Sequence, residues 1–257
     1  MSDAATLLAL AESVAREAGL LLRERFRTGL RATGSKSSPT DLVSEADIAT
    51  EELIRGRLGR ERPDDAILGE EGGDTRGTSG IRWVVDPLDG TVNFLYGIPQ
   101  WGVSIAAEDA DGRPLAGAVY DPILDELWSA AGDRALLNGE PVAGSGNTDM
   151  STALVATGFG YEARVREAQA AIVARLLPQV RDIRRFGSAA LDLCWTAAGR
   201  YDAYFERGVQ AWDVAAGLQL CRAAGLAVRD LPASAAGGAG VLVAAPPLAD
   251  ALLPLML

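Results

Sequence analysis

The 257-residue sequence predicts a mixed fold, α+β in its first half and α/β in its second. Three observations carry this reading. A long amphipathic helix opens the chain, closely spaced apolar strands with turn signals follow, and beyond about Gly144 strands and helices alternate. The length suits one large domain or two modest ones with ample core, divided here as 1–138 and 139–257, with a soft boundary near Arg134 to Gly144.

The elements follow in order. From about Asp3 to Phe26, residues Leu7, Leu10, Ala11, Val14, Ala18, Leu21 and Leu22 form one helical stripe, with Gly29 as its stop. A polar loop covers Lys36 to Thr40, and a second helix runs from near Asp47 to Leu58, ahead of Pro63. A short strand, Ala66–Gly69, leads to Glu70 and Glu71. The Gly-rich stretch Gly72–Gly80 reads as a surface loop before the apolar strand Ile81–Val85. Strands are expected at Val103–Ala107, Leu115–Tyr120 and Glu126–Ala130, and Asn138-Gly139 marks a tight hairpin. The second half reads as strand Ala153–Thr157, helix Val165–Leu177, strand Asp182–Phe186, helix Ser188–Gly199, strand Tyr201–Phe205, helix Trp212–Ala224 and strand Leu226–Asp230. Pro232–Gly240 is a small-residue, flexible segment, and no internal repeat is visible.

Composition narrows the function. A net charge of −11 argues against a nucleic-acid surface, which is normally basic. No apolar stretch is long enough for a membrane span, and the first residues lack a basic-then-apolar leader, so a cytoplasmic protein is expected. Cys194 and Cys221 fall on apolar helix faces and read as reduced core residues. The chain contains no histidine, which removes the commonest general base, histidine metal ligands and Ser-His triads.

The chemistry concentrates between Asp86 and Pro99, which reads Asp-Pro-Leu-Asp-Gly-Thr-Val-Asn-Phe-Leu-Tyr-Gly-Ile-Pro. Asp86, Asp89 and the Leu88 carbonyl leave a buried strand close together, as oxygen ligands for a hard divalent cation. The Gly90-Thr91 amides then open a helix, a favourable seat for an anion. More acids stand elsewhere: Glu70 after a short strand, and Asp213 at an apparent helix start in Trp212-Asp213-Val214-Ala215-Ala216-Gly217. Singly, Glu70 reads as a solvated loop acid and Asp213 as a helix cap. Their joint occurrence points to a metal cluster.

These segments resemble the inositol monophosphatase family of Mg²⁺-dependent, lithium-sensitive phosphatases, related to fructose-1,6-bisphosphatase. Three further stretches fit: Lys36 to Val43 with Asp47, Gly69-Glu70-Glu71, and Gly187-Ser188-Ala189-Ala190. The match runs from the N-terminal helix to about Asp230. It implies a layered αβαβα sandwich and two or three Mg²⁺ ions held by Glu70, Asp86, Asp89, Asp213 and the Leu88 carbonyl. It further implies that Glu70 and Thr91 orient the attacking water in a site that also includes Asp89. Lys36, Asp41 and Asp47 would support the cluster from behind, although capping explains Asp47 nearly as well.

For the substrate, the resemblance implies contacts from Gly90, Thr91, Gly187, Ser188, Ala189 and Asp213, with Glu206 accepting a hydrogen bond from a sugar or cyclitol hydroxyl. It favours inositol monophosphate. Histidinol phosphate, fructose bisphosphate, nucleotide 3′-phosphates and NADP are alternatives, as is a regulatory binding protein with residual phosphatase activity. One departure stands out: Tyr96 occupies the family's usual histidine position, where an aromatic body and one hydrogen bond would be kept. A homodimer is also implied, with Trp101, Trp128 and Trp195 able to serve either an interface or the core.

Overall fold

The computed structural model describes residues 4–28, 34–35, 42–43 and 45–257. In chain order the elements are α1 (Ala4–Thr28), β1 (Gly34–Ser35), β2 (Leu42–Val43), α2 (Glu45–Glu61), β3 (Ala66–Gly69), β4 (Gly73–Thr75), β5 (Ile81–Asp89) and α3 (Thr91–Leu95). There follow β6 (Gly102–Asp109), β7 (Pro114–Asp121), β8 (Glu126–Ala131), β9 (Arg134–Leu137), β10 (Glu140–Pro141), β11 (Leu154–Thr157), α4 (Ala163–Leu176) and β12 (Asp182–Arg184). The chain closes with α5 (Ala189–Ala197), β13 (Ala203–Arg207), α6 (Ala211–Ala223), β14 (Ala227–Leu231), β15 (Gly240–Ala244) and α7 (Pro246–Met256).

Two larger sheets organise the molecule. The first has eight strands in the order β10-β9-β8-β7-β6-β5-β3-β4, and the second five in the order β12-β11-β13-β15-β14. In the first only β3 and β5 run parallel; in the second β11 is parallel to both β12 and β13. The α+β and α/β halves are thus visible in strand direction.

Strand alternation turns the sheets into layers. On β5, Trp83 and Val85 face a core shared with Leu7, Val14 and Leu22 of α1 and Ile54 of α2. Val84, between them, faces a second core with Leu191 and Leu193 of α5 and Leu220 of α6. Tyr204 and Val243 of the second sheet close that core from the other side. Their neighbours Ala203, Phe205 and Leu242 face a third core with Ile172 of α4 and Leu252 of α7. The order is helix pair, sheet, helix pair, sheet, helix pair. This is the layered α/β sandwich.

Four details differ from the sequence reading. Gly73–Thr75 is a strand, with Gly69 opposite Gly73, rather than part of a bare loop. The second-half strand lies at Ala203–Arg207, so Glu206 is inside it, opposite Val241. Gly240 opens β15 rather than ending a loop, and β15 and α7 carry no early signal. Their stretch is apolar almost throughout, so it lacks an alternation to read. The Asn138-Gly139 hairpin forms as expected, both residues at positive φ (50° and 86°). Cys194 and Cys221 are free and buried. Trp101 and Trp128 belong to the core. Gly29 and the Lys36–Thr40 loop lie outside the described residues. Among those described, no helix is long and apolar enough to cross a membrane.

Candidate active site

The site begins with an irregularity in β5. Asp86 lies opposite Ser104 and Asp89 opposite Gly102, so three steps along β5 match two along β6. This β-bulge cancels the usual alternation. Two aspartates three residues apart would otherwise face opposite sides of the sheet; here both line one cavity of about 670 Å³. Asp86 Oδ1 accepts the Leu88 N–H at 2.9 Å, which closes the bulge on itself.

Asp89 is held by α5. Its Oδ2 accepts the Ser188 hydroxyl at 2.5 Å and the Ala190 N–H at 2.7 Å. A carboxylate therefore occupies the positive end of that helix. This places Ser188 differently from the substrate contact expected of it. It is the N-cap of α5, buried, and donates to Asp89, while Gly187 and Ala189 beside it line the cavity.

Asp213 and Glu70 come from other elements. Asp213 is the third residue of α6, where its Oδ2 accepts the Gln210 N–H at 2.6 Å, so capping and cavity lining are combined in one residue. Glu70 follows β3 and also lines the cavity. The turn that carries it is fixed from α2. The Glu51 side chain, buried, accepts the Glu71 and Gly72 N–H groups at 2.7 and 2.8 Å and pairs with Arg55 at 2.6 Å. Arg55 in turn donates to the Gly73 carbonyl and to Thr75. Gly69 leaves the space for this, since a Cβ there would overlap the Glu51 carboxylate.

Gly90 turns the chain at φ 93° into α3, where a side chain would meet the Gln100 carbonyl. The Thr91 hydroxyl lies 2.9 Å from Asp47 Oδ1 and 3.0 Å from the Leu88 carbonyl. Asp47 is buried in the first turn of α2, so it reaches the site through Thr91. Lys36 and Asp41 lie outside the described residues. Tyr96 is 74% exposed at the end of α3 and lines none of the cavity. Its aromatic body is not packed, contrary to the expectation from the family's histidine.

The opposite wall is different in kind. Glu206 projects from β13 and accepts the Tyr204 hydroxyl at 2.9 Å. Gly158 makes room for it, since any Cβ there would overlap the Glu206 carboxylate. Phe159, Tyr161, Arg185 and Arg207 complete that side.

The acids disturb one another. Burial first, then the charges of Glu70, Asp89 and Asp213, raise Asp86 well above the usual carboxylate range. Asp213 is raised by burial and by Asp89. Burial lifts Asp89 to about 6 against the opposing pull of Ser188 and Ala190, and lifts Glu206 to about 7 against that of Tyr204. Among the described residues no three acidic side chains close into a ready ion cage. The donor chemistry still fits a hard divalent cation: oxygen donors only, on one wall, with negative charge in excess.

The structure thus brings Glu70, Asp86, Leu88, Asp89, Gly90, Thr91, Gly187, Ala189, Glu206 and Asp213 to one cavity. The sequence reading missed Glu51, Arg185 and Phe159. Glu51 and Arg55, four apart on a helix, look like an ordinary surface pair, and nothing local reveals that Glu51 is buried.

A cavity with carboxylates from three separate elements along one wall, in a five-layer α/β sandwich, fits a phosphoric monoester hydrolase. The chain belongs to the inositol monophosphatase family, whose model matches residues 3–254. Inositol-1-monophosphatase SuhB of Mycobacterium tuberculosis is 48% identical, over 98% of this chain and 93% of the relative. Nus factor SuhB of Escherichia coli is 40% identical, over 87% and 85%. The crystal structure of extragenic suppressor protein suhB from Bartonella henselae superposes with a TM-score of 0.90 at 34% identity, covering 98% of each chain. The family is generally metal-dependent.

Proposed function

We propose that the protein hydrolyses inositol monophosphate to inositol and phosphate with two or three Mg²⁺ ions, and accepts other small phosphate monoesters more weakly. The observation that carries this reading is the pairing of two walls in one cavity: Glu70, Asp86, Asp89 and Asp213 on one, and Glu206 on the other. Bound divalent cations would supply charge relief for the phosphoryl oxygens and an activated water. The chain's own residues do the positioning. The Leu88 carbonyl, Asp86, Asp89, Asp213 and Glu70 are the oxygen donors for the ions. With its proton on Asp47 Oδ1, the Thr91 oxygen is an acceptor that orients the attacking water together with Glu70. Glu206 accepts a hydroxyl of the cyclitol, and Gly90, Gly187 and Ala189 leave backbone groups open to the ester.

The name of the E. coli relative suggests a second, regulatory reading. A binding protein freed from catalysis would be expected to lose at least one of the four acids, and all four are present here. Phosphate release from a panel of monoesters, with and without Mg²⁺, decides between the two. Inositol 1-phosphate turned over faster than an aryl phosphate, and only with Mg²⁺, is the expected result. No release from any ester would overturn it. A homodimer belongs to the same proposal, and sedimentation equilibrium showing only monomer at micromolar concentration would refute it.

A further inference from the structure

The Glu206 carboxylate is set from behind by Tyr204, a side chain that does not line the cavity. Residues two apart on a strand share a face, so Tyr204 and Glu206 of β13 project together, while Phe205 between them enters the third core. Tyr204 is fully buried in the second core with Leu191 and Leu193 of α5. Its hydroxyl donates to Glu206 Oε2 at 2.9 Å and has no other partner among the described residues. Burial and the charge of Glu206 raise this phenol well above its usual value, so it remains a donor throughout the range in which the acids titrate. The other carboxylate oxygen, Oε1, has no donor among the described residues. Gly158, just past the end of β11, is so near that a Cβ there would overlap both oxygens. The backbone at Gly158 thus blocks one side of the carboxylate, and Tyr204 holds one of its oxygens.

Resting on the reading of Glu206 as the acceptor of a substrate hydroxyl, we infer that Tyr204 is a positioning residue. It fixes Glu206 as a single-oxygen acceptor, through Oε1, and so sets the preference for a polyol from outside the cavity. The recognition is then of one hydroxyl, and not of a vicinal pair clasped by both oxygens. Without the phenol, Oε2 is left without its donor, and the carboxylate has to be ordered as the alcohol binds. The chemistry at phosphorus is served by other groups, since Tyr204 has no hydrogen bond to the acid wall. The charges that reach Glu206 come from Asp89 of β5, Asp192 of α5, Asp213 of α6 and Arg185, whose guanidinium carbon lies 5.9 Å from the centre of the Phe159 ring. These groups are present whichever ester is bound, so a difference between two esters isolates the hydroxyl acceptor.

The test compares inositol 1-phosphate with phenyl phosphate, whose alcohol carries no further hydroxyl, using the full chain in Mg²⁺. Tyr204→Phe keeps the ring and removes one oxygen. It is expected to lower kcat/KM for the inositol ester about tenfold more than for the phenyl ester, chiefly through KM. On a Glu206→Ala background the same substitution is expected to leave the ratio of the two esters unchanged, because its partner is gone. In wild type that ratio is expected to fall as pH drops through about 7, and in Tyr204→Phe through a higher pH, since the phenol's hydrogen bond favours the ionised carboxylate. A readout without turnover is the NMR titration of the Glu206 carboxyl carbon in metal-free protein, expected to move to higher pH in Tyr204→Phe. Equal losses for both esters, a ratio that still changes on the Glu206→Ala background, or an unmoved titration would each overturn the inference. Equal losses for both esters in Glu206→Ala alone would overturn it together with the reading of Glu206. Absence of Mg²⁺-dependent release from every ester would overturn the phosphatase reading, and the carboxyl titration would still test Tyr204.

Discussion

The two walls of the cavity are built by opposite means. The acid wall stands on regular elements: a bulged central strand, the first turn of α6, and the turn after β3 pinned from α2. Three of its carboxylates, Asp86, Asp89 and Asp213, each have a named oxygen tied to a protein donor. The opposite wall relies on vacated space, with Gly158 and Gly187 admitting Glu206 and Arg185. Apart from Glu206 and Arg207, its groups sit on loops or at element ends. The contrast separates two tasks. Chemistry needs fixed distances, whereas selection of the alcohol needs shape that can vary without disturbing the acids.

The largest test of this division is Asp86→Asn. Mg²⁺-dependent turnover is expected to be abolished with the fold intact, because one donor is lost and a buried charge removed. Near-normal activity in that variant would dismantle the acid wall as described. Next comes its support. Glu51→Ala leaves two backbone N–H groups and Arg55 without their acceptor, so urea denaturation is expected to show a loss of about 3–5 kcal/mol. A loss below about 1 kcal/mol would mean the turn carrying Glu70 is held by other contacts.

On the other wall, Glu206→Gln is expected to lower kcat/KM for inositol 1-phosphate about 10–100-fold, while sparing an aryl phosphate and Mg²⁺ affinity. Equal losses with weakened Mg²⁺ binding would move Glu206 to the acid wall. The smallest effect concerns pH. Glu206 is shifted from 4.5 to about 7, so the folded state holds the extra proton between those values. Its stabilising contribution is complete below the unfolded value and is lost as pH rises through about 7. In metal-free buffer Tm is therefore expected to fall from pH 5 to pH 8, with Asp89 adding in the same direction up to about 6. Mg²⁺ is expected to flatten the slope contributed by the acid wall and leave that of Glu206. A Tm that rises over this range without metal would contradict the burial of these acids.

Much of this was readable from the sequence, for identifiable reasons. The helix stripe of α1, the Asn138-Gly139 hairpin and the Asp86–Pro99 segment are local patterns, and local patterns survive without tertiary knowledge. Glu70 and Asp213 taken singly read as a loop acid and a helix cap; they were singled out because they occur together with the Asp86–Asp89 segment in motifs that resemble one family, and the fold brings all four to one cavity. Ser188 was misplaced because a small-residue helix entry looks the same whether it holds a ligand or, as here, the chain's own Asp89. Tyr96 was misjudged because exposure is a property of the surroundings, as is the burial of Glu51. Arg185 had no signal at all, since its meaning comes from Gly187, Phe159 and the carboxylates around it.

The bulge in β5 carries a consequence for how such a chain can change over time. In a plain strand a lost or gained residue slides the register and is often absorbed at the nearest turn. A single deletion between Asp86 and Asp89 would restore the ordinary pleat and keep both aspartates on one face, but it would shorten their spacing, remove the Asp86–Leu88 bond that closes the bulge and disturb Leu88, which packs in the core with α1 and α2. Substitution at Pro87 or Leu88 is a local event, but a change of length there breaks the site and the core together. The spacing of the two acids is therefore more rigidly constrained than the residues that fill it.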